Sequence, residues 1–117
     1  MKISEIMETL KATLLVGDEQ LNKTIVAAGS ADQMDDVLAA LADGSVLLTG
    51  STSEQVLRTA KVIGVGAVVY VRGKVPSDRV IEVARSFDLP LMQTHYSMFV
   101  ASGRLYMNGL RGLDGSW

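Results

Sequence analysis

The sequence of 117 residues contains no cysteine and a single histidine, His95. Thiol nucleophiles, disulfides and cysteine-rich zinc sites are thereby excluded, and histidine-cluster metal sites go with them. Neither a metal nor a cofactor is expected, and a cysteine-free chain points to a reducing compartment, the cytoplasm. A preponderance of one charge is missing too. Eleven basic and thirteen acidic side chains leave a net charge of −2. With no basic run and no interleaving of basic and aromatic residues, the electrostatic footprint of a nucleic-acid binder is lacking. The longest apolar run, Val62 to Val71, has ten residues, two of them glycine, which is about half a membrane span. No membrane association is expected. The first residues, MKISEIMETLK, alternate charged with apolar positions and offer no small-residue cleavage site, so they do not read as a secretory signal. What is present, 48% hydrophobic and 21% charged residues with 5% aromatics, is the profile of one compact domain able to stand without disulfides.

Glycines follow apolar runs at Gly29, Gly50 and Gly73, spaced 21 and 23 residues apart, and Thr94 takes the same place another 21 residues on. Each unit reads as a short apolar strand, a Gly/Ser/Thr turn, a helix and a loop. The strands are Thr24 to Ala28, Ser45 to Thr49, Ala67 to Arg72 and Leu89 to Gln93. Three of these are continuous apolar runs, the pattern of parallel strands covered on both faces by helices. A period of about 22 residues also fits a leucine-rich solenoid, but the units share no leucine ladder and carry full helices. The expected fold is a single α/β domain with a mostly parallel central sheet of about four to five strands flanked by helices.

Helix boundaries are written in the turns. Ser30-Ala31-Asp32-Gln33 and Thr52-Ser53-Glu54-Gln55 match capping boxes, and Gly44 and Gly64 supply stops. Met34, Val37, Leu38 and Leu41 share the buried stripe of the first of these helices, and Val56, Ala60 and Ile63 that of the second. A third helix opens around Val75-Pro76-Ser77-Asp78 with Val80, Ile81, Ala84 and Phe87 inward. The last begins near Ser97, presents Met98, Ser102, Leu105 and Tyr106 on one face and ends near Gly109. Ahead of the repeats, Ile3, Ile6, Met7 and Leu10 form a short amphipathic helix. Ala12 to Val16 then meets the Thr24 strand through the turn Gly17-Asp18-Glu19-Gln20, a hairpin-like N-terminal segment. The domain is expected over 1–109. The glycine-rich 110–117 reads as a flexible tail unless Trp117 docks on a partner.

In an open parallel sheet, ligands favour the crevice outside the carboxyl ends of the strands. The polar turns expected there give ten candidate ligand-binding residues. Thr49, Gly50, Ser51, Thr52 and Ser53 join a buried strand to a helix N-terminus, where amides, hydroxyls and the helix dipole can hold a phosphate or carboxylate. The plainer role of the same residues is to make the turn and cap the helix. No Gly-Lys-Ser/Thr follows, so this is not a P-loop. Arg72 and Gly73 leave the next strand, where Arg72 can offer a fork of donors to an anion near Gly50, or an ordinary ion pair. His95, Tyr96 and Ser97 end the last strand, and His95 can donate to an anion or titrate, or serve as a turn residue. Gly64-Val65-Gly66 follows a helix and precedes a strand, the reverse of a dinucleotide fingerprint. Asp32, Asp35 and Asp36 suit the positive end of a helix dipole better than a metal. No catalytic residue and no metal ligand is assigned.

Four stretches stand out together: the strand-turn-helix at Leu47 to Leu57, the strand ending Val71-Arg72-Gly73 before Pro76, the step Asp88-Leu89-Pro90-Leu91, and Thr94 with Tyr96-Ser97-Met98-Phe99. In these the chain resembles the DRTGG domain family and the related N-terminal domain of HPr kinase/phosphorylase. The string Asp-Arg-Thr-Gly-Gly itself is absent. Ser51-Thr52-Ser53 stands where relatives often carry an acidic-basic pair. No glycine-rich phosphate loop is present, so kinase activity is not implied. The resemblance implies an accessory module, found in relatives fused to phosphotransacetylase or set between regulatory domains of family II pyrophosphatases.

The function expected is that of a non-catalytic regulatory or ligand-sensing module, homodimeric, binding a small anionic metabolite or nucleotide at the strand carboxyl edge. Its rival is a protein-interaction adaptor for a larger metabolic or redox enzyme, with Met98, Tyr106, Met107 and Trp117 as anchors.

Overall fold

Runs of apolar residues without polar alternation form the centre of the sheet. The computed structural model describes residues 1–31 and 43–112. In chain order its elements are α1 (Ile3–Leu10), β1 (Thr13–Val16), β2 (Ala27–Ser30), β3 (Ser45–Thr49), α2 (Glu54–Val62), β4 (Ala67–Tyr70), α3 (Asp78–Ser86), β5 (Leu91–Gln93) and α4 (Met98–Met107). The strand order is β1-β5-β4-β3-β2, with β2 through β5 parallel and β1 antiparallel along β5. This is the expected α/β domain with a mostly parallel sheet.

Every residue of β3 and β4 is buried, and successive side chains enter opposite layers because strand side chains alternate. Leu47, Val68, Tyr70 and Leu91 pack with Val56, Leu57 and Ala60 of α2 and Val80, Val83 and Ala84 of α3. Val46, Leu48, Ala67, Val69 and Met92 pack with Ile3, Ile6 and Leu10 of α1 and Ala101 and Leu105 of α4. The expected stripe positions Ile63, Ile81 and Phe87 lie at the margin of the first layer, partly buried. On α4 the buried line runs through Ala101 and Leu105, leaving Tyr106, expected inside, 45% exposed. No helix among the described residues is long and apolar enough to cross a membrane.

The N-terminal hairpin does not form. β1 and β2 stand at opposite edges of the sheet: β2 does run antiparallel to β1, but after Gly17–Gln20 the chain crosses to the far edge instead of returning alongside β1. Asp18–Gln20 is a 3₁₀ turn, and Gly17 (φ 105) lies so near Pro90 that a Cβ would come within 2.9 Å of it. The Gln20 side-chain Nε2 also donates to the Asp88 carbonyl at 2.8 Å. β1 thus gains its backbone partner from β5. Thr24 and Ile25, expected to begin β2, bond instead to the chain start: the Ile25 amide donates to the Met1 carbonyl at 2.7 Å, and Lys2 bridges Thr24.

The residues that follow Gly109 pack on the domain. Leu110 is buried in the α1/α4 layer, and the Ala28 amide donates to the Arg111 carbonyl at 2.9 Å. Residues 113–117 with Trp117, the helix expected from Met34 to Leu41, and Asp32, Asp35 and Asp36 lie outside the described residues. Ser30, expected to cap that helix, has its hydroxyl 2.8 Å from that of Ser102.

Tyr70 is fully buried, and its hydroxyl is the one buried side-chain polar atom without a hydrogen-bond partner among the described residues. Burial pushes its pKa from 10.0 to about 12. The unfolded chain therefore ionises first, so this contribution to stability is complete below pH 10 and is lost as pH rises from 10 to 12. The slope is at most about 1.4 kcal/mol per pH unit. Tyr70→Phe keeps the ring and removes the orphan hydroxyl. Its unfolding free energy from urea denaturation at neutral pH should equal or exceed wild type by up to about 2 kcal/mol, with a shallower alkaline decline; a clear loss of stability would mean that the hydroxyl is bonded.

Candidate functional site at the carboxyl edge of the sheet

β3, β4 and β5 are adjacent and parallel, so the turns that follow them lie side by side. Each leads into a helix capped by serine. Ser53 accepts from the Val56 amide (3.3 Å), Ser77 from Val80 (3.3 Å) and Ser97 from Val100 (3.2 Å). These bonds satisfy donors that the first helical turn leaves unpaired. The first cap falls on Ser53 rather than Thr52, and Pro76 precedes the cap of α3 instead of entering its first turn.

The Thr49 to Ser53 turn is internally tied. Buried Thr49 accepts the Ser51 amide on its hydroxyl at 3.1 Å, and the Ser51 hydroxyl donates to that of Ser53 at 3.4 Å. Gly50 and Thr52 stand between them, each partly exposed.

Two neighbouring turns are stitched together by backbone. Arg72 and Gly73 both take the left-handed conformation, φ 57 and 68. Their amides donate to the carbonyls of Tyr96 and Thr94, both at 2.8 Å. The Gln93 side chain donates to the Gly73 carbonyl at 3.0 Å. A Cβ on Gly73 would come within 3.1 Å of His95 Nδ1. The structure thus brings Arg72 and Gly73 together with His95, Tyr96 and Ser97, and the Val71 amide bond to the Thr49 carbonyl joins them to the first turn. The amides of Arg72 and Gly73 are consumed in this closure, and the side chains of Arg72 and His95 are exposed at its rim. The Tyr96 ring lies under the Arg104 guanidinium, 4.5 Å from its centroid.

Sequence reasoning missed the two groups that hold this edge. Buried Thr94 donates its hydroxyl to the Leu10 carbonyl (2.7 Å) and accepts the Tyr96 amide on it (3.2 Å), tying the last turn to α1. Glu54 at the start of α2 bonds Arg79 of α3 at 2.9 Å and Arg58 at 2.6 Å. Arg79 first, then Arg58, holds the Glu54 carboxyl below its ordinary pKa. The Glu54–Arg58 spacing is a legible helical pair; the reach to Arg79 is visible only in the fold.

Two clefts lie elsewhere and include none of the ten candidates. One of about 570 Å³, at the amino end of the parallel strands, is lined by Leu14 to Glu19, Arg85 and Asp88. Another of about 450 Å³ lies between α1 and the segment after α4.

Thr94→Val keeps the shape but strips both bonds, and is expected to lower unfolding free energy by about 1–3 kcal/mol, with Thr94→Ser near wild type. Gly73→Ala, forced into a left-handed backbone against His95, should cost about 1 kcal/mol or more. Urea denaturation of the three variants reads both effects, and a wild-type midpoint for Thr94→Val would deny it the anchoring role.

The DRTGG domain family matches residues 5–107. None of the curated proteins matches the chain. Eleven solved chains match it in structure. One is the CBS and DRTGG domains of the regulatory region of Clostridium perfringens pyrophosphatase, complexed with the activator diadenosine tetraphosphate, with a TM-score of 0.74 at 19% identity. The similarity covers 89% of this chain and 45% of that one, so this chain spans less than half of that regulatory region. With the family match running from α1 to the end of α4, the chain belongs to the DRTGG domain family.

Proposed function

We propose that this DRTGG domain is a non-catalytic regulatory module, homodimeric, that senses a small anionic metabolite or nucleotide at the carboxyl edge of its sheet. One observation carries the reading. The turns after β3 and β4 with the first helical turns behind them, residues 49–58 and 72–80, hold four cations, Arg58, Arg72, Lys74 and Arg79. They hold two acids, Glu54 and Asp78. The local excess of +2 stands in a chain of net charge −2. The positive ends of three helix dipoles meet at the same edge, and such a field draws anions. A nucleotide activator is bound in the pyrophosphatase regulatory region that shares this fold, which makes a phosphate-bearing ligand the first class to test here.

A non-catalytic role agrees with how the turn hydroxyls are used. Ser51 bonds Ser53, while Ser53 and Ser97 cap their helices. A nucleophile would instead be bonded to a base such as His95. The rival reading, an adaptor for a larger enzyme, draws on exposed Tyr106 and Met107 of α4.

Isothermal titration with AMP, diadenosine tetraphosphate and inorganic phosphate tests the site. Arg72→Ala should weaken binding by about 1–3 kcal/mol, roughly 5- to 150-fold, with an unchanged circular dichroism spectrum. Equal affinity in the variant removes Arg72 from the site. Native mass spectrometry of protein from its own host, showing neither retained ligand nor dimer, would count against the sensor as a whole.

A further inference from the structure

Helix α4 carries an outer face that stays largely exposed among the described residues. Phe99 and Met107 are each 86% exposed, and Tyr106 and Val100 are 45% and 39% exposed. Isolated exposed apolar residues are ordinary, but several large ones on a single helix mark a contact surface. Phe99, Gly103 and Met107 fall at i, i+4 and i+8, one ridge of the helix.

Gly103 is the informative residue. In a helix interior, glycine costs about 1 kcal/mol relative to alanine, and a Cβ at Gly103 would meet nothing within 4 Å. No packing among the described residues explains it. The ridge therefore has two bulky ends and a bare centre, a shape complementary to itself under a two-fold axis through Gly103, which sets Phe99 of one copy beside Met107 of the other. Two-fold contacts require such self-complementarity, and a glycine at the crossing lets helix backbones approach closely.

Charge fits the same occupant. α4 contains no acid, and its flanking cations are engaged at home. Arg104 lies over Tyr96, and Arg111 lies 4.0 Å from the Tyr106 ring centroid while bonding the Tyr106 carbonyl at 2.9 Å. Two copies of this face bring no unpaired opposite charges together and leave no carboxylate to bury. The four apolar side chains offer roughly 500 Å² per copy, about 1,000 Å² for a pair, the lower bound for a specific interface.

We propose that the α4 face formed by Phe99, Val100, Gly103, Tyr106 and Met107 is the homodimer interface, with α4 crossing its two-fold mate at Gly103. This rests on the homodimeric part of the functional reading and names its surface. The test uses the full chain. Sedimentation velocity across a dilution series should give a wild-type dimer, and Phe99→Asp and Met107→Lys should each raise its dissociation constant at least about 30-fold, with unchanged circular dichroism. The chain has no cysteine, so Gly103→Cys introduces a single thiol, which under mild oxidant should form a disulfide-linked dimer. Val62→Cys, 84% exposed on α2, should remain monomeric on a non-reducing gel. A wild-type dimer insensitive to both charge variants, or linked as readily through Val62→Cys, keeps the dimer and overturns the interface. A wild-type monomer at every concentration overturns both, and capture of a different protein by the same face returns it to the adaptor.

Discussion

Strands β3 and β4 have no solvent face, and most of what the molecule does with its surface follows from that constraint. Their side chains alternate between two helix layers, so neither strand can slip by one residue without exchanging Leu47 and Val68 for Val46 and Ala67. Fixed register places the ends of β3, β4 and β5 level with one another. The polar residues that follow each apolar run then have a single destination, the carboxyl edge.

At that edge, competing demands on backbone amides decide what is left for a ligand. Left-handed Arg72 and Gly73 give their amides to the carbonyls of Tyr96 and Thr94, and the three serines give their hydroxyls to helix caps. Thr94 anchors the assembly to α1 through the Leu10 carbonyl. The same edge carries the Glu54 carboxylate shared between two guanidinium groups. The proposed capture of an anion rests on the cationic excess of these turns.

α4 connects this edge to the proposed dimer face. It starts at Ser97, in the turn that bonds Arg72, and its outer ridge begins two residues later at Phe99. The proposed anion site and the proposed dimer face thus share one helix, a few residues apart.

The sequence by itself determined the apolar runs, the Ser-led helix starts and the layered α/β class, because burial on both faces, capping and turn formation depend on residues within a few positions of one another. The placement of Thr49 to Ser53, Arg72, Gly73 and His95 to Ser97 along one edge was legible for the same reason: each closes a recognisable strand. Tertiary structure alone decided the rest. Nothing local says that β1 pairs with β5 instead of β2, since Leu14 and Val16 suit either edge; the close approach of Gly17 to Pro90 accompanies that pairing and is visible only in the fold. Nothing local ties Thr94 to Leu10, 84 residues away, or Glu54 to Arg79. The outward turn of Phe99, Gly103 and Met107 was decided the same way. α4 has apolar residues on more than one side, and only its docking through Ala101 and Leu105 settles which of them face the core.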